Sequence, residues 1–278
     1  MTPAEAFAAC EVSVRRADPD RYFASLFAPA DKRPLLHALY AFNHELVRAG
    51  EAAREPLVTG IRLEWWREAL YCALKGRPRS HPVAVALTVF LSQGSVGVSD
   101  LDDLIAAREV ESSPKPIETL TALESHANAT SGRLMRIAAQ LLGAANEVGD
   151  VIFEAGIAYG LAGILRSLPF RATHGKLFLP IDLFAQESVT ASEALLHSHS
   201  AALKCVVDRV AARASDHFGQ ARKIAIPKNA LPAIVPAALV PRYLSLLAKS
   251  ADPLRERTEI SQLPRQLILL RAAMRRRL

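Results

Sequence analysis

Two pairs of side chains have types and spacings that suit metal ligation. Glu64 and Glu68 stand four residues apart, so both carboxylates would share one face of a helix. His197 and His199 form the second pair, but neither a third ligand nor the H-E-x-x-H spacing of a zinc-binding helix accompanies them. Glu68 follows Arg67 directly and is better explained as a solvated or ion-paired side chain on the helix surface. Neither pair therefore predicts a metal site.

Basic side chains after the middle of the chain indicate a different chemistry. Arg166, Arg171 and Lys176 follow a helix-forming stretch of small residues, which Pro169 is expected to kink or end. A planar guanidinium group suits phosphate oxygens without a bridging metal, and the nearby Phe and Leu residues suit a hydrocarbon chain. Two alternatives stay open: these groups bind an anionic head group, or Arg166 pairs with an acid on a neighbouring helix.

The composition is that of a globular, helix-rich chain and excludes several classes of protein. Half of the 278 residues are apolar, while 13 Gly and 17 Pro are too few for a fibrous or low-complexity chain. Three cysteines without a C-x-x-C pair argue against a disulfide framework and favour a reducing compartment. A net charge of +6 without a basic pattern does not indicate binding of nucleic acid.

Helix signals recur along the whole chain, and no segment alternates like a strand. Residues 2–5 read T-P-A-E, which is typical of a capped helix start. Residues 35–46 carry an apolar stripe at helical spacing, and residues 117–142 predict one long helix. No repeat or disordered linker interrupts the pattern. The sequence therefore predicts one all-α domain spanning residues 1–278.

The relation of the chain to membranes depends mainly on its last segment. No apolar run reaches the roughly 18 to 20 uncharged residues that span a bilayer, and the N-terminus lacks a basic signal-peptide start, so a cytoplasmic protein is expected. Residues 264–278 contain five arginines, with Leu267, Leu270, Met274 and Leu278 at helical spacing. This end either lies on an anionic membrane surface, at the inner membrane face, or packs into the domain with its arginines solvated.

Five segments, in order, resemble the squalene/phytoene synthase family. They are residues 38–51 (A-L-Y-A-F-N-H-E-L-V-R-A-G-E), 61–70 (I-R-L-E-W-W-R-E-A-L), 81–83 (H-P-V), 159–171 (Y-G-L-A-G-I-L-R-S-L-P-F-R) and 175–180 (G-K-L-F-L-P). The resemblance covers about residues 22–180 and implies an isoprenoid-synthase-like helical bundle around a central apolar cavity. In active members this fold condenses two prenyl diphosphates head to head.

The family's magnesium-binding acids are largely replaced in this sequence. In active members, aspartates on two facing helices hold Mg²⁺ ions that bind the leaving diphosphate. The resemblance places the first acidic motif at Val47, Arg48 and Glu51, and the second at Ser167 and Arg171, with Gly163 in place of an asparagine. Only Glu51 is an acid. Regrouping Glu51 with Glu55, Glu64 and Glu68 would leave the second side without acids, so the resemblance implies no metal cofactor and no catalytic residue.

Residues 41–46 (A-F-N-H-E-L) and the degraded second motif resemble a subgroup that includes a mitochondrial protein required for assembling respiratory complex I. One hypothesis is a catalytically silent accessory protein at the membrane surface. Its partner would be a membrane protein or an assembly intermediate, and its cavity would retain a lipid or prenyl ligand. The alternative hypothesis is a Mg²⁺-dependent prenyltransferase with an atypical site. A structural helical domain without a ligand is the third.

Overall fold

The computed structural model describes residues 1–51, 56–113, 115–144, 147–197 and 200–278. Within these ranges the chain forms α-helices and no β-strand, which confirms the predicted all-α class. The helices are α1 (Pro3–Ala17), α2 (Pro19–Ser25), α3 (Arg33–Glu51), α4 (Pro56–Leu74), α5 (Pro82–Ser92), α6 (Val98–Ser112), α7 (Leu120–Ala127), α8 (Arg133–Leu141), α9 (Gly149–Arg166), α10 (Leu168–Thr173), α11 (Ile181–Gln186), α12 (Ala191–Leu196), α13 (Ala201–Ala221), α14 (Leu231–Ile234), α15 (Val240–Leu247) and α16 (Gln262–Arg275).

Helix α9 is the central element, and its glycines let neighbouring backbones approach closely. It packs against α7, α8, α13 and α15, and contributes buried side chains to two separate apolar clusters. A Cβ atom added at Gly156 would overlap the Cα atom of Gly132, and one added at Gly160 would lie 2.8 Å from the Cβ atom of Ala127. Larger side chains would push these helices apart. The small residues in the sequence of α9 are therefore required by its packing.

The long helix predicted over residues 117–142 is interrupted. It begins only at Leu120, and a π-helical turn, Asn128–Gly132, separates α7 from α8. The Thr130 hydroxyl donates a hydrogen bond to the His126 carbonyl oxygen at 2.8 Å, a side-chain bond that competes with the regular helix ladder. The same turn carries Gly132, which α9 touches. Such π-turns are frequent at functional sites, and this one faces the cavity described below.

Other helix boundaries agree with the sequence signals. Thr2 caps α1, and the Thr2 and Glu5 side chains form the reciprocal pair of a capping box. Helix α9 ends at Arg166, and Pro169 lies in the first turn of α10. The apolar stripe of residues 35–46 is buried in the larger apolar cluster.

One helical stretch among the described residues meets the length and hydropathy of a membrane span, which the sequence had not indicated. It runs from Lys228 to Leu247 and consists of α14, α15 and the 3₁₀ turns beside them. Within its most apolar window, 67% of the residues are buried inside the protein. The side chains of Ile234, Leu239 and Val240 are fully buried. The stretch thus packs as a core helix of the fold.

Candidate functional site

A cavity of about 340 Å³ opens between α2, α3, α6, α9 and the π-helical turn. The resemblance implied a central apolar cavity, and the wall of this cavity combines apolar with charged side chains. The charged side chains converge from several helices: Arg21, Arg108, Arg166 and Arg171, the acids Asp18, Asp20 and Glu111, and His44 and His126. Apolar side chains such as Val47, Leu134 and Ile164 fill the gaps between them.

The structure brings together several of the residues selected from sequence. Val47 lies on one wall, while Arg166, Ser167 and Arg171 lie on the other, with Gly163 beside them. The two degraded motifs therefore face one cavity, as the family resemblance implied.

Three other residues do not join them. Arg48 points to the outside of α3, where it donates to Glu45 at 3.0 Å and contacts a separate pocket beside Trp65. Lys176 is exposed and is not among the residues that line this cavity. Glu51 ends α3, but its side chain and residues 52–55, including Glu55, lie outside the described part.

Asp20 forms the first of two charge clusters in the wall. Its carboxylate is 2% exposed and accepts hydrogen bonds from the Tyr159 hydroxyl at 2.8 Å, the Tyr243 hydroxyl at 2.8 Å and Arg265 Nε at 2.7 Å. Arg166 Nη1 lies 3.5 Å from the same carboxylate, and its guanidinium group covers the Tyr243 ring at 3.7 Å. Arg166 is thus paired with an acid of another helix, which was one of the two alternatives for it.

Burial fixes the protonation of the two tyrosines in this cluster. Desolvation raises the pKa of Tyr159 well above its ordinary value, and the neighbouring Asp20 charge raises it further. Desolvation and Asp20 raise the pKa of Tyr243 in the same way. Both phenols therefore remain hydrogen-bond donors, and Asp20 acts as a shared acceptor for α9, α15 and α16.

Glu111 forms the second cluster and engages Arg171. The Glu111 carboxylate accepts from Arg108 Nη1 at 2.5 Å and Arg171 Nη2 at 2.7 Å, and His126 Nε2 lies 3.1 Å away. Arg171 Nε also donates to the Ser167 hydroxyl at 2.9 Å. Burial opposes ionisation of Glu111, but Arg108 and Arg171 outweigh it and hold its pKa well below the ordinary value. The residues that replace two acids of the family thus form a hydrogen-bonded unit with an acid from α6.

The donor set does not fit magnesium. Mg²⁺ requires several carboxylate oxygens in near-octahedral geometry. In this cavity Asp18 pairs with Arg21 at 2.6 Å, and the carboxylates of Asp20 and Glu111 are occupied by arginines. Among the described residues, no three His, Cys, Asp or Glu side chains are grouped to hold a metal ion.

Three buried polar atoms of cavity-lining residues have no hydrogen-bond partner in the part of the chain that the structure describes. They are Arg108 Nε, Arg166 Nε and Ser131 Oγ. Two are guanidinium donors, and Ser131 is 8% exposed. Buried polar groups are rarely left unpaired because desolvation without a partner costs about 1–3 kcal/mol. The described wall thus contains side chains with buried donors that have no acceptor among the described residues.

Sequence reasoning missed the acids that organise both clusters. From sequence alone, the segment Asp18–Asp20 indicates only the end of a helix, and Glu111 only the end of a helix before a loop. A local signal existed for one of them, because Arg108 and Glu111 stand three residues apart on α6 and can pair. No local signal connects Asp20 with Arg265, 245 residues later.

Comparison with known proteins gives a consistent result. The chain is 26% identical over 243 residues to NADH dehydrogenase (ubiquinone) complex I, assembly factor 6 of Mus musculus, covering 86% of this chain and 73% of that protein. The corresponding Bos taurus protein is 27% identical over 238 residues, with coverages of 84% and 72%. A dehydrosqualene synthase crystal structure superposes with a TM-score of 0.82 at 18% identity, covering 98% and 96% of the two chains.

At that identity the structural likeness establishes the fold, which is the all-α isoprenoid synthase fold. The family model described as squalene/phytoene synthase matches residues 14–264, nearly the whole chain. The resemblance found in five sequence segments is therefore confirmed. The chain belongs to the squalene/phytoene synthase family.

Proposed function

We propose that this protein is an accessory factor in the assembly of respiratory complex I and does not catalyse prenyl transfer. The names of the two relatives described above support the first part, since both are complex I assembly factors. The observation that carries the second part is the bond between Arg171 and Glu111. A cation occupies the position of a metal-binding acid, and the nearest carboxylate is committed to it. In this proposal, residues 1–278 form one domain.

The physical basis of the proposal is charge. Ionising a prenyl diphosphate requires cations that bind the leaving diphosphate. Their electrostatic attraction for this group grows as negative charge develops on it. Here Asp18, Asp20 and Glu111 compensate all but one of the four arginine charges in the wall. Replacing a cluster of divalent ions with one uncompensated guanidinium charge would remove most of that stabilisation. The fold then serves to present surfaces to a partner, such as a membrane subunit or an assembly intermediate on the cytoplasmic side of the inner membrane.

The test is gene deletion in the source cell combined with assay of the purified chain. We expect deletion to lower NADH:quinone oxidoreductase activity and the amount of full-size complex I on native gels, with succinate dehydrogenase unchanged as the control. The purified chain with Mg²⁺ and prenyl diphosphates should release no condensed product. Product formation that requires Mg²⁺, or normal complex I in the deletion strain, would contradict the proposal.

We also propose that the cavity binds an anionic head group without a metal, as Arg166 and Arg171 first indicated. The support is the set of unpartnered donors, Arg108 Nε, Arg166 Nε and Ser131 Oγ, together with four arginines against three carboxylates in the wall. Arginine donors bind phosphate oxygens directly. A lipid or prenyl phosphate would place its head group here.

Ser131→Ala separates this role from stability. The hydroxyl has no partner in the protein, so its removal should leave the urea midpoint unchanged or raise it. Calorimetry with inorganic pyrophosphate in EDTA should show binding that weakens about fivefold in this variant, the effect of one lost hydrogen bond of about 1 kcal/mol. Ser125→Ala, on the exposed side of α7, is the matched control. Binding that requires Mg²⁺, or an unchanged affinity of Ser131→Ala, would refute the anion site.

A further inference from the structure

The last helix, α16, exposes an apolar stripe on the side opposite its packed face. The exposed fractions are 67% for Leu263, 56% for Leu267, 46% for Leu270 and 76% for Met274. At 3.6 residues per turn these four side chains fall within about 60° of one another around the helix. Arg265, Leu269 and Ala272 are buried on the other side. One face of this end therefore packs into the domain, as does Leu278, while the face that carries Leu267, Leu270 and Met274 is exposed.

The orientation of α16 is fixed by contacts at both ends. Near its start, Arg265 Nε donates to the buried Asp20 carboxylate at 2.7 Å. At its end, the Ile226 amide donates to the Arg276 carbonyl oxygen at 2.9 Å. Rotating the helix to hide the stripe would break both contacts. The apolar stripe is thus a permanent surface of the fold.

Positive charge dominates the exposed charged side chains of the segment that carries the stripe. Residues 260–278 contain no Asp or Glu. Arg271 and Arg275 flank the stripe on one side of α16, and Arg276 and Arg277 follow at its end, all exposed. An open cleft of about 810 Å³ beyond it is lined by Arg222, Lys223, Arg275 and Arg277, with Gly219 and Leu278. The cations from two helices therefore converge beside the apolar stripe.

We propose that this surface, the α16 face, docks on an anionic phospholipid bilayer. The face consists of Leu263, Leu267, Leu270 and Met274 with Arg222, Lys223, Arg271, Arg275, Arg276 and Arg277. A helix of this pattern lies parallel to a membrane, with its apolar stripe among the acyl chains and its cations at the phosphates. Each arginine near an anionic surface increases partitioning about fivefold. The exposed cations lack acidic partners among the described residues, which favours a lipid surface of uniform negative charge.

The docking is peripheral and independent of the assembly role. The span-length helix, Lys228–Leu247, is mostly buried in the protein and is not available to cross the bilayer without unfolding. Membrane binding and complex I assembly can therefore succeed or fail separately. The inference depends only on the geometry and charge of the α16 face.

Co-sedimentation of the full chain with vesicles tests the proposal. We expect binding to vesicles of phosphatidylcholine with roughly 30% phosphatidylglycerol by mole as the anionic lipid, weak binding to pure phosphatidylcholine, and loss of binding in high salt. Arg275→Gln/Arg277→Gln should reduce partitioning by about 25-fold. Leu267→Gln/Met274→Gln should also reduce it strongly. Both variants change exposed side chains, so circular dichroism should show unchanged helix content.

The matched control removes two cations in the N-terminal half of α13, away from Arg222 at its C-terminal end. Lys204→Gln/Arg209→Gln lowers the net charge equally, and Lys204 lies about 27 Å along the helix from Arg222. This control should bind anionic vesicles like the parent chain. Equal loss in control and test variants would show a nonspecific charge effect and overturn the proposal. Absence of vesicle binding with dimers that Leu267→Gln/Met274→Gln disrupts would instead identify a second copy as the occupant.

Discussion

Replacing Asp20 with Asn is expected to destabilise the protein by about 3–5 kcal/mol at neutral pH. The substitution removes the negative charge that compensates Arg265, which is 6% exposed, and Arg166. A buried guanidinium group without a counter-charge has lost its hydration and gains no electrostatic attraction in its place. The two tyrosine hydroxyls also lose a charged hydrogen-bond acceptor. Urea unfolding followed by circular dichroism would measure the change in free energy.

Asp103→Asn provides the matched control for this effect. Asp103 also pairs with an arginine, Arg133, at 2.7 Å, but its side chain is 53% exposed, so the expected loss is about 0–1 kcal/mol. A similar loss in both variants would show that Asp20 is no more important than a surface ion pair. A large loss confined to Asp20→Asn would also explain how α16 is held, because Asp20 joins α2 to α9, α15 and α16 through Tyr159, Tyr243 and Arg265.

Local sequence signals account for most of the helices but not for their interruptions. The capping box at Thr2 and the apolar stripe of residues 35–46 depend on neighbours a few residues apart, so their outcome can be predicted. The π-helical turn at Asn128–Gly132 lies where Gly156 approaches Gly132 closely, which is a tertiary contact. Residues 128–132 read N-A-T-S-G and are mostly weak helix formers, but weak helix propensity alone does not specify a π-helical turn.

The same distinction applies to the site. The family resemblance implied that Val47 and Arg171 lie on facing walls, because it supplied the long-range arrangement that spacing cannot give. Adjacent residues on a helix point in different directions because each is rotated by about 100° around the axis. Val47 therefore faces the cavity, while Arg48 faces outward from α3. Lys176 follows Gly175, whose φ of +70° turns the chain away from α10. The partners of Arg166 and Arg171 required three-dimensional information because Asp20 and Glu111 are distant in sequence.

Glu111→Gln is the second substitution with a large expected effect, about 3 kcal/mol at pH 7. The Glu111 side chain is 10% exposed, and its carboxylate compensates the positive charges of both Arg108 and Arg171. A neutral amide would leave these two guanidinium groups facing each other without a counter-charge. Glu64→Gln is the control, because Glu64 pairs with Arg67 but is 55% exposed. Thermal or urea unfolding of both variants gives the comparison.

The pH dependence of the Glu111 effect distinguishes lost charge from lost packing. The pKa of Glu111 is depressed in the folded state, so its ionised form contributes stability above the ordinary glutamate pKa. That contribution is lost as the pH falls below about 4 and through the folded-state pKa. The stability difference between the parent chain and Glu111→Gln should therefore shrink toward acid pH. A difference that stays constant from neutral to acid pH would mean that the substitution acts through shape. In that case the pairing of Arg171 with Glu111 would lose its electrostatic importance, and the argument against a metal-dependent site would weaken with it.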